Sequence, residues 1–391
     1  MEKKLDWKRI ALYGLLGGFL VVLSYVIYFG WVERDMTDFR VDYKAGERIV
    51  RGETLYRVVD GHLQYKYAPI SALVYAALAL LPLATAEVIW HYLQLVGLFA
   101  AFWISYKCLP SVEKGKWFVI GFGFLILAKF TGREIQLGQV NILIILILTL
   151  MLAALNARQE TAAGVLWGVS LFFKPYALAF LPYFILKKWF KPIAAGAAVV
   201  AIGLFIPAFY FGFHGNLLVL QEWVGTLSQS TPGLLAVADN ASLYAFLWKL
   251  FAGNNKLLFD MAFIFLFAAI GGAFLGMMAV GKKRALEKPE TLELGFLFIC
   301  IPLFSPLGWY YNYLYSIPAV VLLLNYVKKF PPAWKYALVA NFIVIGGTLR
   351  EIMGKTLFRF YNHNSLMAVN YLLVLVFLFY LRLRETSKTQ F

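Results

Sequence analysis

Long apolar runs broken by short polar stretches set the pattern of this chain. The runs are Ile10–Trp31, Pro69–Pro82, Val88–Tyr106, Trp117–Ala128, Val140–Leu155, Ala162–Phe173, Tyr176–Leu186, Pro192–Phe211, Leu258–Val280, Leu292–Phe304, Tyr313–Val327, Tyr336–Thr348 and Leu366–Leu381. A membrane-crossing helix needs about 20 apolar residues, and fewer where neighbours shield it. The pattern therefore predicts an all-α polytopic membrane protein, one integral membrane domain over residues 1–391. The first run has a basic flank and no small-residue cleavage site, which predicts a retained helix rather than a removed signal peptide.

Basic residues between the runs predict sidedness. They cluster at Lys3, Lys4, Lys8 and Arg9, at Lys107, Lys114 and Lys116, at Arg158, and at Lys187, Lys188 and Lys191. Further clusters are Lys282, Lys283, Arg284 and Lys288, then Lys328, Lys329 and Lys335, then Arg382, Arg384 and Lys388. Such clusters favour the cytoplasm. All can lie there if Pro69–Pro82 is a short or re-entrant helix that does not cross, which leaves about 12 crossings with both termini inside. An alternative fuses Ala162–Leu186 into one helix through Pro175 and puts Lys107, Lys114, Lys116 and Arg158 outside. In the first topology the outer face collects a polar first loop, residues 32–67, the turn Leu127–Gln139 and the Lys174-Pro175 break. It also collects a long loop over residues 212–257, Ser305–Asn312 and Arg350–Ser365.

Composition narrows the picture further. The chain is 61% hydrophobic, 18% aromatic and 15% charged, against about 25% charged in soluble domains. A net charge of +15 comes from the loop clusters and not from a basic soluble domain, so nucleic acid is excluded as a partner. Cys108 and Cys300 have no metal or disulfide spacing. His62, His91, His214 and His363 have no metal-ligand spacing either, so no metal is expected. There is no phosphate-binding glycine loop of the nucleotide-binding kinds.

Four groups of polar residues could carry chemistry. Asp38 and Asp42, four apart, share a face if their segment is helical, and a carboxylate beside hydrocarbon can be tuned into a general base. Arg133, Glu134, Gln139 and Asn141 in GREIQLGQVN stand at the head of an apolar helix, either an anion site or a capped end. Lys174, deep between apolar runs, either meets a phosphate or carboxylate or snorkels to the surface. Trp309, Tyr311 and Asn312 in SPLGWYYNYLYSIP suit a sugar-stacking platform or an interfacial aromatic belt. Asn240 lies in the long loop, and Arg350 in the last outer one.

Six segments in order, DFRVDYKAGERIVRGETLYR, YKYAPISALVYAALALLP, GQVNILIILILTL, KPYALAFLPYFILKKW, NASLYAFLWKLF and SPLGWYYNYLYSIP, resemble glycosyltransferase family 87. These are bacterial membrane mannosyltransferases that use polyprenyl-phosphate-mannose, within the C-type (GT-C) superfamily. The resemblance runs from about Asp38 to Pro318. It implies a GT-C-like fold of about a dozen helices with extracytoplasmic loop helices and an outward-facing active site in the cell membrane. It also implies Asp38 as the catalytic base, with Asp42 second. Lys174, with Arg133 and Arg350 behind it, would bind the donor phosphate. Glu134, Gln139, Asn141, Asn240, Trp309, Tyr311 and Asn312 would contact sugar or acceptor. Tyr311 and Asn312 stand where family members often carry His, which disfavours any role for a titrating His there. The implied partners are a polyprenyl-phosphate sugar, a lipid or glycan acceptor and membrane lipids, with no cofactor and no metal. A lipid or sugar transporter is the competing class, but transporters place polar sites near the midplane between repeats. A non-catalytic partner in envelope assembly is the third reading.

Overall fold

The computed structural model describes residues 18, 21–230, 232–252, 255–283 and 288–385. Lys3, Lys4, Lys8, Arg9, Arg284 and Lys388 lie outside the described residues, as does most of the run before Val21. Among the described residues regular structure is helical, with one isolated β-bridge between Asn240 and Trp309. The helices in chain order are α1 (Val21–Val32), α2 (Thr37–Val50), α3 (Ala72–Leu78), α4 (Leu83–Lys107), α5 (Lys116–Leu137), α6 (Asn141–Asn156), α7 (Glu160–Phe173) and α8 (Leu181–Leu186). They continue with α9 (Phe190–Phe205), α10 (Ala208–Ser230), α11 (Leu243–Leu247), α12 (Lys256–Lys283), α13 (Pro289–Phe304), α14 (Ile317–Asn325), α15 (Pro332–Gly347), α16 (Arg350–His363) and α17 (Met367–Glu385). The chain is thus an all-α polytopic membrane protein. Among the described residues three helices are long and apolar enough to cross singly, or up to five if each bent pair is one span.

Helices α13 and α14 form the centre. Every residue of α14, and all of α13 from Glu290 to Leu303, is buried, as expected of helices apolar on all sides. By contrast α12 turns Ile264 and Phe265 outward, 67% and 69% exposed, a face that hydrocarbon rather than water would cover.

The chain shuttles between two chemically different ends. At one end Glu293 accepts hydrogen bonds from Arg382 Nη2 (2.9 Å) and Tyr183 Oη (2.9 Å) and pairs with Lys187 Nζ at 2.6 Å. There too Arg158 meets Glu290 at 3.3 Å, Lys329 meets Glu113 at 3.6 Å, and Asn325 holds the backbone of Ser111, Glu113 and Lys114. The basic clusters of five different connections are therefore neighbours at one end. Asp38, Gln139, Lys174 and Trp309 gather at the other.

Lys174 is a reversal, not a kink. Trp167 Nε1 donates to the Ala177 carbonyl at 2.7 Å and the Trp167 and Phe184 rings lie 5.3 Å apart, whereas one continuous helix would separate residues 167 and 184 by about 25 Å. The fused reading of Ala162–Leu186 is therefore wrong. Proline supplies the cause, since Pro175 cannot continue the amide ladder, and Lys174 itself is extended (φ −145°, ψ 124°).

Three expectations about connections need correction. Pro192–Phe211 is not one run, because the chain turns 94° around Pro207 between α9 and α10. The long outer loop consequently begins as the helix α10, and Arg350–Ser365 is largely the helix α16, set at 93° to α15. Finally, α5 does not stop at Ala128. It runs on to Leu137 because Lys129 donates to Thr348 Oγ1 at 3.1 Å and lies over the Tyr310 ring, while Arg133 pairs with Asp35 at 3.1 Å.

The helix α2 lies against α3 so closely that a Cβ on Gly46 would sit 2.5 Å from the Tyr75 carbonyl carbon. We expect Gly46→Ala to destabilise the protein by about 1–3 kcal/mol, measured as a lower thermal midpoint in detergent. An unchanged midpoint would remove this contact as the determinant of how α2 is seated.

Candidate active site

Asp38 is placed by two features of backbone geometry. Gly138 ends α5 in the left-handed region (φ 69°), which glycine adopts without a Cβ clash. A Cβ there would also approach Phe39 Cβ to 2.6 Å. The start of α2 fills that space: Met36 N–H donates to the Gln136 carbonyl at 2.9 Å, and Met36 is itself left-handed (φ 36°). The Gly138 carbonyl accepts from Trp90 Nε1 at 2.8 Å, and that of Gln139 from Gln94 Nε2 at 2.8 Å. The α5–α6 turn and the first turn of α2 are thereby held on one another and on α4.

In this frame Gln139 Nε2 donates to Asp38 Oδ2 at 2.5 Å. Among the described residues Asp38 Oδ1 accepts no hydrogen bond, and the carboxylate lines a cavity of about 510 Å³. Burial pushes the Asp38 carboxyl above its ordinary range, opposed by the Gln139 hydrogen bond and by the charges of Lys174, Arg133 and Lys66. Asp42, one turn on, lines the same cavity but is 2% exposed, and among the described residues its Oδ2 has no hydrogen-bond partner. Burial raises its carboxyl well above the ordinary range, with the nearby Asp38 charge adding to the rise. Of the two, Asp42 is the more strongly raised, so Asp38 is the more readily ionised.

Behind Asp38 one carboxamide joins three chain segments. Asn141 Oδ1 accepts from Lys174 Nζ at 2.7 Å and from Tyr315 Oη at 3.3 Å. Asn141 Nδ2 donates to Glu134 Oε1 at 2.5 Å and to Asn312 Oδ1 at 3.2 Å. Lys174, which lines the cavity, has no carboxylate within 4.0 Å among the described residues. Trp309 and Tyr311 also line the cavity, their rings 6.5 Å apart and 17° from parallel.

Several expected residues sit elsewhere. Arg350 is exposed on α16 and does not line the cavity. Asn240 is fully buried, its Nδ2 donating to the Leu235 and Pro306 carbonyls at 2.9 and 2.8 Å. It ties two loops together and is not among the residues that line this cavity. GREIQLGQVN is not wholly a helix head, since Arg133 and Glu134 belong to the last turn of α5 and Asn141 begins α6. Arg133 stands at the rim, paired with Asp35. Sequence reasoning missed Lys66 and Gln64, which line the cavity from the segment before α3. A lysine between two tyrosines before Pro69, in an otherwise polar loop, carried the only signal. Leu227 of α10 and Leu234 also line it, so the long connection covers the site. Among the described residues no three His, Cys, Asp or Glu side chains are grouped as a metal site.

The chain matches the profile of Glycosyltransferase family 87 over residues 65–306. It is 25% identical over 350 residues to the polyprenol-phosphate-mannose-dependent alpha-(1-2)-phosphatidylinositol mannoside mannosyltransferase of Mycobacterium tuberculosis, covering 79% of this chain and 74% of that protein. The protein of the same description from Mycolicibacterium smegmatis is 23% identical over 357 residues, covering 82% of this chain and 78% of its own.

Removing the Asn141 amide strands both an ammonium and a carboxylate in apolar surroundings. Asn141→Leu is expected to lower stability by about 3 kcal/mol or more, because each buried group left unsatisfied costs about 1–3 kcal/mol. Denaturation in detergent measures this, and a loss below 1 kcal/mol would mean that water replaces the amide.

Proposed function

The chain belongs to glycosyltransferase family 87, and on that premise we propose that this membrane glycosyltransferase moves mannose from polyprenyl-phosphate-mannose to a hydroxyl of a lipid or glycan outside the cytoplasm. The relatives are described as mannosyltransferases dependent on polyprenol-phosphate-mannose, which supports the donor. One observation carries the reading: Asp38, with an open carboxylate oxygen, and Lys174, with no carboxylate partner among the described residues, line the same cavity. A base and a phosphate-seeking cation in one cavity fit glycosyl transfer.

In this reading Asp38 removes the proton of the acceptor hydroxyl as its oxygen attacks the anomeric carbon. The carbon–oxygen bond to phosphate breaks, both electrons stay on the phosphate oxygen, and the anomeric centre inverts. Fixed cations in a low-dielectric site stabilise that growing charge, and Lys174 supplies such a cation beside Asp38. The end carrying the basic clusters would face the cytoplasm, leaving the cavity on the extracytoplasmic side, with about 12 crossings and both termini inside. Trp309 and Tyr311 would pack against the sugar. Polar groups concentrated at one end of the bundle, together with family membership, disfavour a transporter.

Purified protein in liposomes with radiolabelled polyprenyl-phosphate-mannose and a lipid-extract acceptor pool tests the proposal. Label should move to a new glycolipid, and Asp38→Ala should lower the rate at least about 10²-fold without loss of fold. Substantial turnover in that variant would remove Asp38 from the role of base. The pH dependence gives a second check. Asp38 must be deprotonated to act, so the rate should fall as pH drops through its raised pKa. The Gln139 hydrogen bond favours the charged form, so Gln139→Leu should move the acid limb of kcat/KM to higher pH. A limb that stays in place, or moves to lower pH, would assign it to another group.

A further inference from the structure

The backbone brings a second lysine to the phosphate side of the cavity. The amide of Ala68 donates to the Phe172 carbonyl at 2.9 Å, and Ser71 Oγ donates to the same oxygen at 2.8 Å. Lys66 and Lys174 each lie two residues from this junction. Both line the cavity, from two segments bonded to each other.

Their anchorage differs. Lys174 is held by Asn141 Oδ1. The Lys66 ammonium makes no hydrogen bond or ion pair among the described residues, yet its main chain is fixed. Its carbonyl accepts from Trp223 Nε1 at 3.1 Å, the Tyr67 carbonyl from Tyr56 Oη at 2.6 Å, and Gln64 Nε2 donates to Thr226 Oγ1 at 3.2 Å. An ammonium on a fixed base, unpaired among the described residues and within the electrostatic reach of Asp38, is free to meet a phosphate as its charge changes.

Charge counting gives the second cation a task. A sugar phosphodiester carries one negative charge. When the anomeric bond breaks, the departing monoester gains an electron pair and carries about −1.5 to −2 at pH 7. We propose, resting on the function proposed above, that Lys66 is a phosphate ligand selective for this polyprenyl monophosphate, stabilising the leaving group while Lys174 holds the donor. The same role makes Lys66 a determinant of product release.

The test compares the parent protein with Lys66→Gln and Lys66→Arg, each checked for monodisperse elution and an unchanged thermal midpoint. Binding of polyprenyl phosphate is followed by tryptophan fluorescence above pH 7, and donor KM and kcat come from the transfer assay. Lys66→Gln should weaken polyprenyl phosphate binding about tenfold or more, as loss of a charge-assisted hydrogen bond predicts. It should lower kcat and change donor KM less than about threefold, on the same grounds. Lys66→Arg should restore most of both. Equal loss for donor and product, or no loss for either, overturns the assignment. Protein that binds polyprenyl phosphate through Lys66 but transfers no mannose would sink the proposed donor and leave Lys66 as a phosphate ligand.

Discussion

A single carboxamide stands between an ammonium and a carboxylate inside an apolar bundle. Asn141 accepts from Lys174 and donates to Glu134 Oε1, so each group has a polar partner there, while Glu134 Oε2 has none among the described residues. Without that bridge the cost of two desolvated charges would fall on the fold. With it, Lys174 can lack a carboxylate within 4.0 Å among the described residues and keep its charge available to the cavity. The remaining geometry follows from where Asn141 stands, at the first residue of α6, behind a glycine turn pinned by Trp90 and Gln94.

The two ends of the bundle treat charge differently. At the basic end Glu293 is met by Arg382, Lys187 and Tyr183, and Glu290 by Arg158. A carboxylate so enclosed as Glu293 holds helices together and offers little to a ligand. At the cavity end, among the described residues, Asp38 has one partnered oxygen and one open oxygen, and Lys66 and Lys174 line the same cavity. Chemistry belongs where compensation is incomplete.

The bent helices explain how such a site stays covered. The chain turns about a right angle into α10 and α16 instead of continuing along the bundle. Trp223 of α10 then holds the Lys66 carbonyl while Leu227 lines the cavity. Cover and floor are thus hydrogen-bonded to each other, and an apolar lid next to charged groups strengthens every electrostatic interaction beneath it.

Much of this was legible along the chain. Hydrophobic runs determined helical class, because hydrocarbon requires backbone groups to be satisfied within a helix, and four-residue spacing put Asp38 and Asp42 on one face of α2. Pro175 marked the reversal at Lys174. What the linear pattern could not supply was partnership. Arg350 and Asn240 look as polar as Gln139 and Asn141, yet one is exposed and the other ties loops together. Lys66 looked like any loop lysine until the Ala68–Phe172 hydrogen bond set it near Lys174. Local composition by itself determines which segments leave water, since that depends on summed apolar area. Only the tertiary structure decides which polar groups find each other, because a hydrogen bond or a shared cavity depends on ångström-scale positions of residues distant in sequence.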